Sequence, residues 1–219
     1  MTYRLYWGKT TGAFAPEALL EELAVPYERV PIDWRNGGTR TPEFLRVNPL
    51  GQLPALALPD GTILCESAAI LFFLAEQHPG GGLLPPMSDP ARGLVFRWVI
   101  FGAVNLYEVE LRQYLGERLA VSPECESALQ AARAEAIDHC WGPIDQALHP
   151  GPYMLGDRFS LADLYLAMIA GWQYGGPKMA TERPNVLRMV ERVSRREKIS
   201  PVWQNHYRHK PIFQRFPGG

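Results

Sequence analysis

The stretch Asn48–Leu56, NPLGQLPAL, runs from a breaker-rich loop into the opening of a buried strand. Leu53–Leu58 has the apolar character of a core strand, yet Pro54 stands at its mouth, directly after Gln52 and Leu53. Proline has no amide proton to give a central ladder, so it belongs at a strand's first residue or on its edge. The residue before it is pushed to extended geometry. The X–Pro bond is also the one peptide bond that turns cis at little cost. A cis Leu53–Pro54 bond would turn the Leu53 N–H and C=O out of the sheet, free to pair with an extended peptide laid alongside. Gln52 would add a side-chain amide at the same edge. On local grounds the plainer reading, a strand that merely begins with proline, stands equally well.

Upstream, strand and helix signals alternate. TYRLYW (Thr2–Trp7) is β-prone, and PEALLEELA (Pro16–Ala24) has the spacing of an amphipathic helix with proline in its first turn. YERVPI (Tyr27–Ile32) reads as a second strand. TPEFLRV (Thr41–Val47) reads as a short helix with Thr41 as its N-cap. Downstream, ALAL (Ala55–Leu58) and TILC (Thr62–Cys65) flank the turn signal PDG, and SAAILFFLAEQH (Ser67–His78) reads as a helix capped by Ser67. The order β-α-β-α-β-β-α calls for a parallel pair joined by a crossover, then an antiparallel hairpin. That is a small α/β sandwich of thioredoxin type over residues 1–79.

PGGGLLPP (Pro79–Pro86) then interrupts every pattern. No helix and no Lys-Ser/Thr pair follows its glycines, so a linker over 80–89 is expected rather than a phosphate loop. Beyond it, from residue 90 to 219, the signals are helical. Long segments run over Pro90–Leu119, Pro123–Leu148, Leu161–Trp172 and Pro184–Ser194. Ser160 and Asp163 stand at N-cap and N3 spacing, a variant of the capping box. An all-α bundle follows, with the arginines of RMVERVSRREK (Arg188–Lys198) spread over a solvated face.

The chain has 219 residues, 47% of them hydrophobic, enough to bury a sizeable core. Twenty-two basic and 23 acidic residues leave a net charge of −1, which gives no footprint for nucleic acid or anionic membrane. No apolar run is long enough to span a bilayer. MTYRLYWGKT lacks the apolar centre of a signal peptide, so a cytoplasmic protein is expected. Cys65, Cys125 and Cys140 contain no C-x-x-C and read as small buried hydrophobes. His206 and His209 form a close pair in a polar tail, without further ligands to complete a metal site.

Glu66-Ser67 falls at a strand-to-helix junction. The start of a helix offers unpaired N–H donors and partial positive charge, which suit a carboxylate. Ser67 adds a hydroxyl and Glu66 can take an ammonium. Together they match an α-amino-acid head group, although both are also ordinary helix-start residues.

NPLGQLPAL, PDGTILCESAAI, GGLLPPMSDPARGLVFRW and GDRFSLADLYLAM, in this order and spacing, resemble the cytosolic glutathione transferases over essentially the whole chain. The resemblance implies an α/β thioredoxin-like N-terminal domain plus an all-α C-terminal helical bundle. It implies glutathione as substrate, no metal and a homodimer, with Asn105 or Glu108 bordering the site. Glutathione would lie along Leu53 and Pro54, with Gln52 beside it and Glu66 and Ser67 on its γ-glutamyl head. Arg40, or Arg35, would reach its glycyl carboxylate. Relatives place a hydroxyl or thiol after the first strand, where this chain reads GKTTGAFAP. Thr10 takes that position against threonine-using relatives, and Thr11 competes. Cysteine-using relatives would align Gly12 there. A small apolar electrophile would meet Trp7, Phe14, Tyr107, Tyr114 and Trp172. The expected activity is transfer of glutathione to that electrophile, a detoxification chemistry. A binding or scaffold protein on the same fold is the alternative, as is a glutathione-dependent isomerase, dehalogenase or peroxidase.

Overall fold

The computed structural model describes residues 2–114, 122–172 and 177–207. The chain divides into two compact units. The first runs up to Asp89 and also takes in the chain from Val193 on; the second runs from Pro90 to Arg192. The helical domain expected over 90–219 therefore gives up its last segment to the first unit.

The first unit is built on a four-stranded sheet of β1 (Tyr3–Trp7), β2 (Tyr27–Pro31), β3 (Ala55–Ala57) and β4 (Ile63–Cys65), in the order β2-β1-β3-β4. β1 and β2 are parallel, joined by the crossover helix α1 (Phe14–Glu22). β3 runs antiparallel to both β1 and β4. α2 (Pro42–Val47) precedes β3 and starts on Thr41, whose Oγ1 accepts the Phe44 N–H at 3.3 Å. α3 (Ser67–Gln77) follows β4 and packs beside α1. Leu5, Leu56, Leu19, Leu20, Ile70 and Leu71 are fully buried between sheet and helices.

The second unit is helical. Its centre is a helix, Leu161–Trp172, buried at every residue. The uninterrupted helix expected over Pro90–Leu119 is instead three segments: α4 (Ala91–Phe101), a π-helical stretch (Gly102–Tyr107) and α5 (Glu108–Tyr114). Residues 115–119 lie outside the described part. Gly102 explains the close packing here, because a Cβ on it would lie 3.2 Å from Tyr165 Cδ1 and 3.3 Å from Leu166 Cδ2. α6 (Pro123–Ala147) begins on Ser122, whose Oγ accepts the Cys125 N–H at 3.2 Å. The buried central helix is α7, followed by α8 (Pro177–Glu182) and α9 (Pro184–Ser194).

The last described helix, α10 (Ile199–Tyr207), belongs to the first unit and packs along α1. Phe14 meets Trp203 and Tyr207 at ring centroid distances of 5.3 and 5.2 Å. The region read as a polar tail around His206, whose His209 lies outside the described residues, is thus a helix with one buried face. Its apolar side, Ile199, Val202, Trp203 and Tyr207, completes the packing of α1.

Candidate functional site

Register decides which loops meet. Tyr6 of β1 pairs with Ala55, and Ala55 pairs with Cys65. Both pairings are antiparallel, so the chain leaving β1, the chain entering β3 and the chain leaving β4 all emerge at one end of the sheet. That end gathers the Gly8–Ala13 loop, Leu53–Pro54 and Glu66–Ser67.

The stretch before β3 is held from both sides. Asn48, nearly buried, accepts the Leu50 N–H at its Oδ1 (3.1 Å) and donates from Nδ2 to the Gln52 carbonyl (2.9 Å). Arg40 Nη1 donates to the Leu50 carbonyl at 3.3 Å. Arg40 is therefore engaged in shaping this loop. Gly51 has φ +64°, and a Cβ there would lie 2.7 Å from the Thr39 carbonyl oxygen, so only glycine fits. The Leu53–Pro54 bond is cis. The β3 ladder opens at Ala55, which leaves the Leu53 N–H and C=O outside the pairing.

At the start of α3 the structure corrects one reading. Ser67 is the first helical residue, and Glu66 is the N-cap, with φ +64° and ψ 111°. A cap residue is the one with non-helical backbone, and that is Glu66. A left-handed φ is uncommon and costly for a residue other than glycine, and such residues concentrate at functional sites. Glu66 is exposed and Ser67 is buried.

The Gly8–Ala13 loop is closed by its own hydroxyls. Thr11 Oγ1 donates to the Gly8 carbonyl (2.8 Å) and accepts the Ala13 N–H (3.2 Å), bracing the start of α1. Among the described residues, Thr10 Oγ1 donates to the Lys9 carbonyl alone, at 2.7 Å. Trp34 Nε1 donates to that same carbonyl at 3.0 Å. Gly8 marks where the parts touch. A Cβ on it would lie 2.6 Å from Trp34 Cδ1, 2.9 Å from Leu53 Cδ1 and 3.3 Å from Thr11 Cγ2. The loop and the Leu53 edge are thus in direct packing.

Two expected electrophile contacts are spent elsewhere. Phe14 is fully buried among Trp203, His206 and Tyr207, so its ring belongs to the packing of α1 on α10. The Trp7 indole N–H is bonded to the Glu17 carboxylate, and its ring stands edge-on to His206 at 5.3 Å. In the second unit Tyr107, on the π-helical stretch, meets Trp172 edge-on at 4.7 Å and stacks on Tyr165 at 6.4 Å. Asn105 turns its Nδ2 back to the Phe101 carbonyl at 3.3 Å. The Tyr114 side chain lies outside the described part.

Sequence reasoning missed the cluster behind the loop. Glu17 and His206 are both buried, with His206 Nε2 2.7 Å from Glu17 Oε2. Arg29 Nε lies 3.0 Å from Glu17 Oε1, an ion pair whose N–H does not point squarely at the oxygen. His206 Nδ1 accepts the Thr10 N–H at 3.2 Å. Burial pushes the His206 imidazole below its ordinary value, against the pull of Glu17. The signal that identifies this helix is the spacing Ile199, Val202, Trp203, His206, Tyr207, a single face at helical period.

All three cysteines are only partly buried, less than the small core hydrophobes expected. Burial pushes the Cys65 and Cys140 thiols up, and the charge of Glu66 adds to the effect at Cys65. Among the described residues no three His, Cys, Asp or Glu side chains gather as a metal site needs, and no helix is long and apolar enough to cross a membrane.

Residues 16–77 match the family model for the glutathione S-transferase N-terminal domain, and residues 114–205 match that for the C-terminal domain. The chain is 31% identical to glutathione S-transferase 3 of Zea mays over 178 residues, covering 76% of this chain and 72% of that one. It is 27% identical to glutathione S-transferase GstA of Escherichia coli O157:H7 over 157 residues, 72% of this chain and 75% of that one. A glutathione transferase homologue from Sulfitobacter, solved with bound glutathione, superposes with a TM-score of 0.85 at 29% identity, covering 94% of this chain and 99% of that one.

Proposed function

Because this chain belongs to the cytosolic glutathione transferase family, we propose that it binds glutathione at the end of the sheet described above and stabilises its thiolate for attack on a small apolar electrophile. The observation that carries this reading is the convergence, set by strand register, of the Leu53 edge, the start of α3 and the Gly8–Ala13 loop. The Leu53 backbone would pair with the cysteinyl unit of glutathione, beside Pro54 and Gln52. Glu66 and Ser67 would take the γ-glutamyl head, with the α3 N–H groups facing its carboxylate. Arg40 would act by holding Leu50 and Gly51 in place.

Thr10 is the donor to the sulfur in this proposal. Thr11 is engaged twice at the start of α1, whereas the Thr10 hydroxyl has one local acceptor and can turn from it. A free thiol has a pKa of about 8.5 and is a few per cent ionised at pH 7. A hydrogen bond to a charged acceptor contributes roughly 1.5–3 kcal/mol, enough to lower that value by one to two units.

Thr10→Val keeps the side-chain shape and removes the donor. Turnover of an aryl halide should fall about tenfold, the loss of roughly 1.4 kcal/mol at the transition state, with glutathione affinity nearly unchanged. Unchanged turnover would remove Thr10 from the mechanism. The scaffold reading is favoured by one fact, that both loop hydroxyls already have acceptors within the loop. Wild-type protein that binds glutathione without turning over any aryl halide would select it.

The dimer belongs to the same proposal. Leu94, Ile100 and Val104 are exposed apolar residues of the first long helical run of the second unit. Sedimentation of the wild type should give twice the chain mass, and Val104→Glu should shift it towards monomer; a monomeric wild type would end this part of the reading.

A further inference from the structure

We propose that His206 is a positioning residue for the loop that carries Thr10: it fixes the Thr10 backbone from α10, and Glu17 in turn fixes His206. The consequence for thiol activation rests on the functional reading above; the positioning itself does not.

The argument starts from strain. Thr10 has φ +58°, and a β-branched residue in the left-handed region is a genuine outlier that needs outside support. Its hydroxyl donates to the adjacent Lys9 carbonyl, a bond that ties it no further than the neighbouring residue. The support comes from 196 positions away, where His206 Nδ1 accepts the Thr10 N–H at 3.2 Å.

That one bond fixes the tautomer. A backbone amide can only donate, so Nδ1 is bare and the proton of the neutral ring sits on Nε2. Nε2–H then donates to Glu17 Oε2 at 2.7 Å. Trp7 Nε1 lies 3.0 Å from His206 Nε2, but it is a donor only, so both N–H groups converge on the same carboxylate oxygen. Arg29 faces the other oxygen at 3.0 Å. The groups facing the ring are thus Glu17 from α1, Arg29 from β2, Lys9 from the loop and Tyr207 from its own helix. A protonated His206 would turn a donor toward the Thr10 N–H, so this arrangement requires the neutral ring, and burial favours that form.

The chain Arg29–Glu17–His206–Thr10 has the form of a carboxylate orienting an imidazole, with a backbone amide at the far end. It sets where the Thr10 hydroxyl starts from without touching the sulfur.

Two variants test it. His206→Phe keeps a ring against Phe14 and removes both hydrogen bonds. His206→Asn places an amide oxygen near the Nδ1 position and can accept from Thr10. Hydrogen exchange of the residue 8–13 peptide, measured without glutathione, should speed up about tenfold in His206→Phe, the share of one lost hydrogen bond. It should return most of the way in His206→Asn. With glutathione bound, the thiolate fraction read by ultraviolet absorbance should drop in His206→Phe and recover in His206→Asn. A folded His206→Phe with wild-type loop exchange would overturn the proposal, whatever its melting temperature. Loop exchange that changes while the bound thiolate fraction does not would overturn the link to thiol activation. A wild type with no bound thiolate would fail the functional reading instead, and loop exchange would still decide the positioning role.

Discussion

Asp163→Ala lowers the melting temperature of the second unit by about 10 °C, the size expected from a loss of roughly 3 kcal/mol in a chain of this length. Asp163 is fully buried in the first turn of α7. Its carboxylate accepts the Met154 N–H at 2.7 Å, the Ser160 N–H at 2.9 Å and the Ser160 hydroxyl at 2.8 Å. Alanine leaves two buried backbone donors without an acceptor, each costing about 1–3 kcal/mol, and strips the helix of its cap, worth about 1 kcal/mol. Removal also ends the cost of burying a carboxylate. Burial pushes that carboxyl up to about 6, with the Met154 and Ser160 donors pulling the other way. This offset is why the net loss falls short of the summed bonds. Thermal unfolding followed by far-ultraviolet circular dichroism measures it. Asp163→Asn should lie between wild type and alanine, because one amide oxygen can still accept while the amide nitrogen faces a donor. A shift of under 2 °C in the alanine variant would show that water or rearrangement satisfies the freed donors.

Gly8→Ala weakens glutathione binding by tenfold or more, equivalent to about 1.4 kcal/mol, while the sheet stays folded. The added methyl would meet Trp34 Cδ1 at 2.6 Å and Leu53 Cδ1 at 2.9 Å, closer than carbon atoms approach, so both must move. Moving Trp34 disturbs its bond to the Lys9 carbonyl. Moving the Leu53 side chain disturbs the packing behind the backbone proposed to pair with glutathione. Overpacking of this kind costs about 1–3 kcal/mol, part of it felt as stability and part as lost affinity. Calorimetric titration against glutathione separates the two, with circular dichroism as the check on folding. Wild-type affinity in a folded Gly8→Ala would mean that the loop after β1 and the Leu53 edge are not coupled in binding glutathione.

These two sites differ in how visible they are in the sequence. The capping residues of α7 lie three positions apart and announce themselves by type and spacing. The same holds for NPLGQLPAL, where breakers beside an apolar run are a local signal. Gly8 is silent in sequence, because its tolerance depends on Trp34 and Leu53, brought to it by the fold. Glu17 and His206 are harder still. An acid in an amphipathic helix and a histidine among Gln204, Asn205 and His209 look solvated, and only the packing of α10 on α1 buries both. Thr10 and Thr11 could not be ranked from sequence, since their difference lies in the hydrogen bonds each has already made. Residue type points to Ser67 as the cap, one step out of phase with the backbone, because which residue leaves helical geometry is settled by the β4–α3 junction.

The return of α10 to the first unit bears on how this protein is made. The sheet, α1 and α3 leave the ribosome early, but α1 gains its last neighbours only when residues 199–207 emerge. Until then Phe14 lacks the ring partners that bury it, and Thr10 lacks its histidine. The intervening second unit, buried around α7, has its own core to assemble during that wait. The candidate site is therefore finished only once residues 199–207 have been made, and a chain interrupted before Ile199 carries every residue proposed to touch glutathione but not the helix that sets their loop.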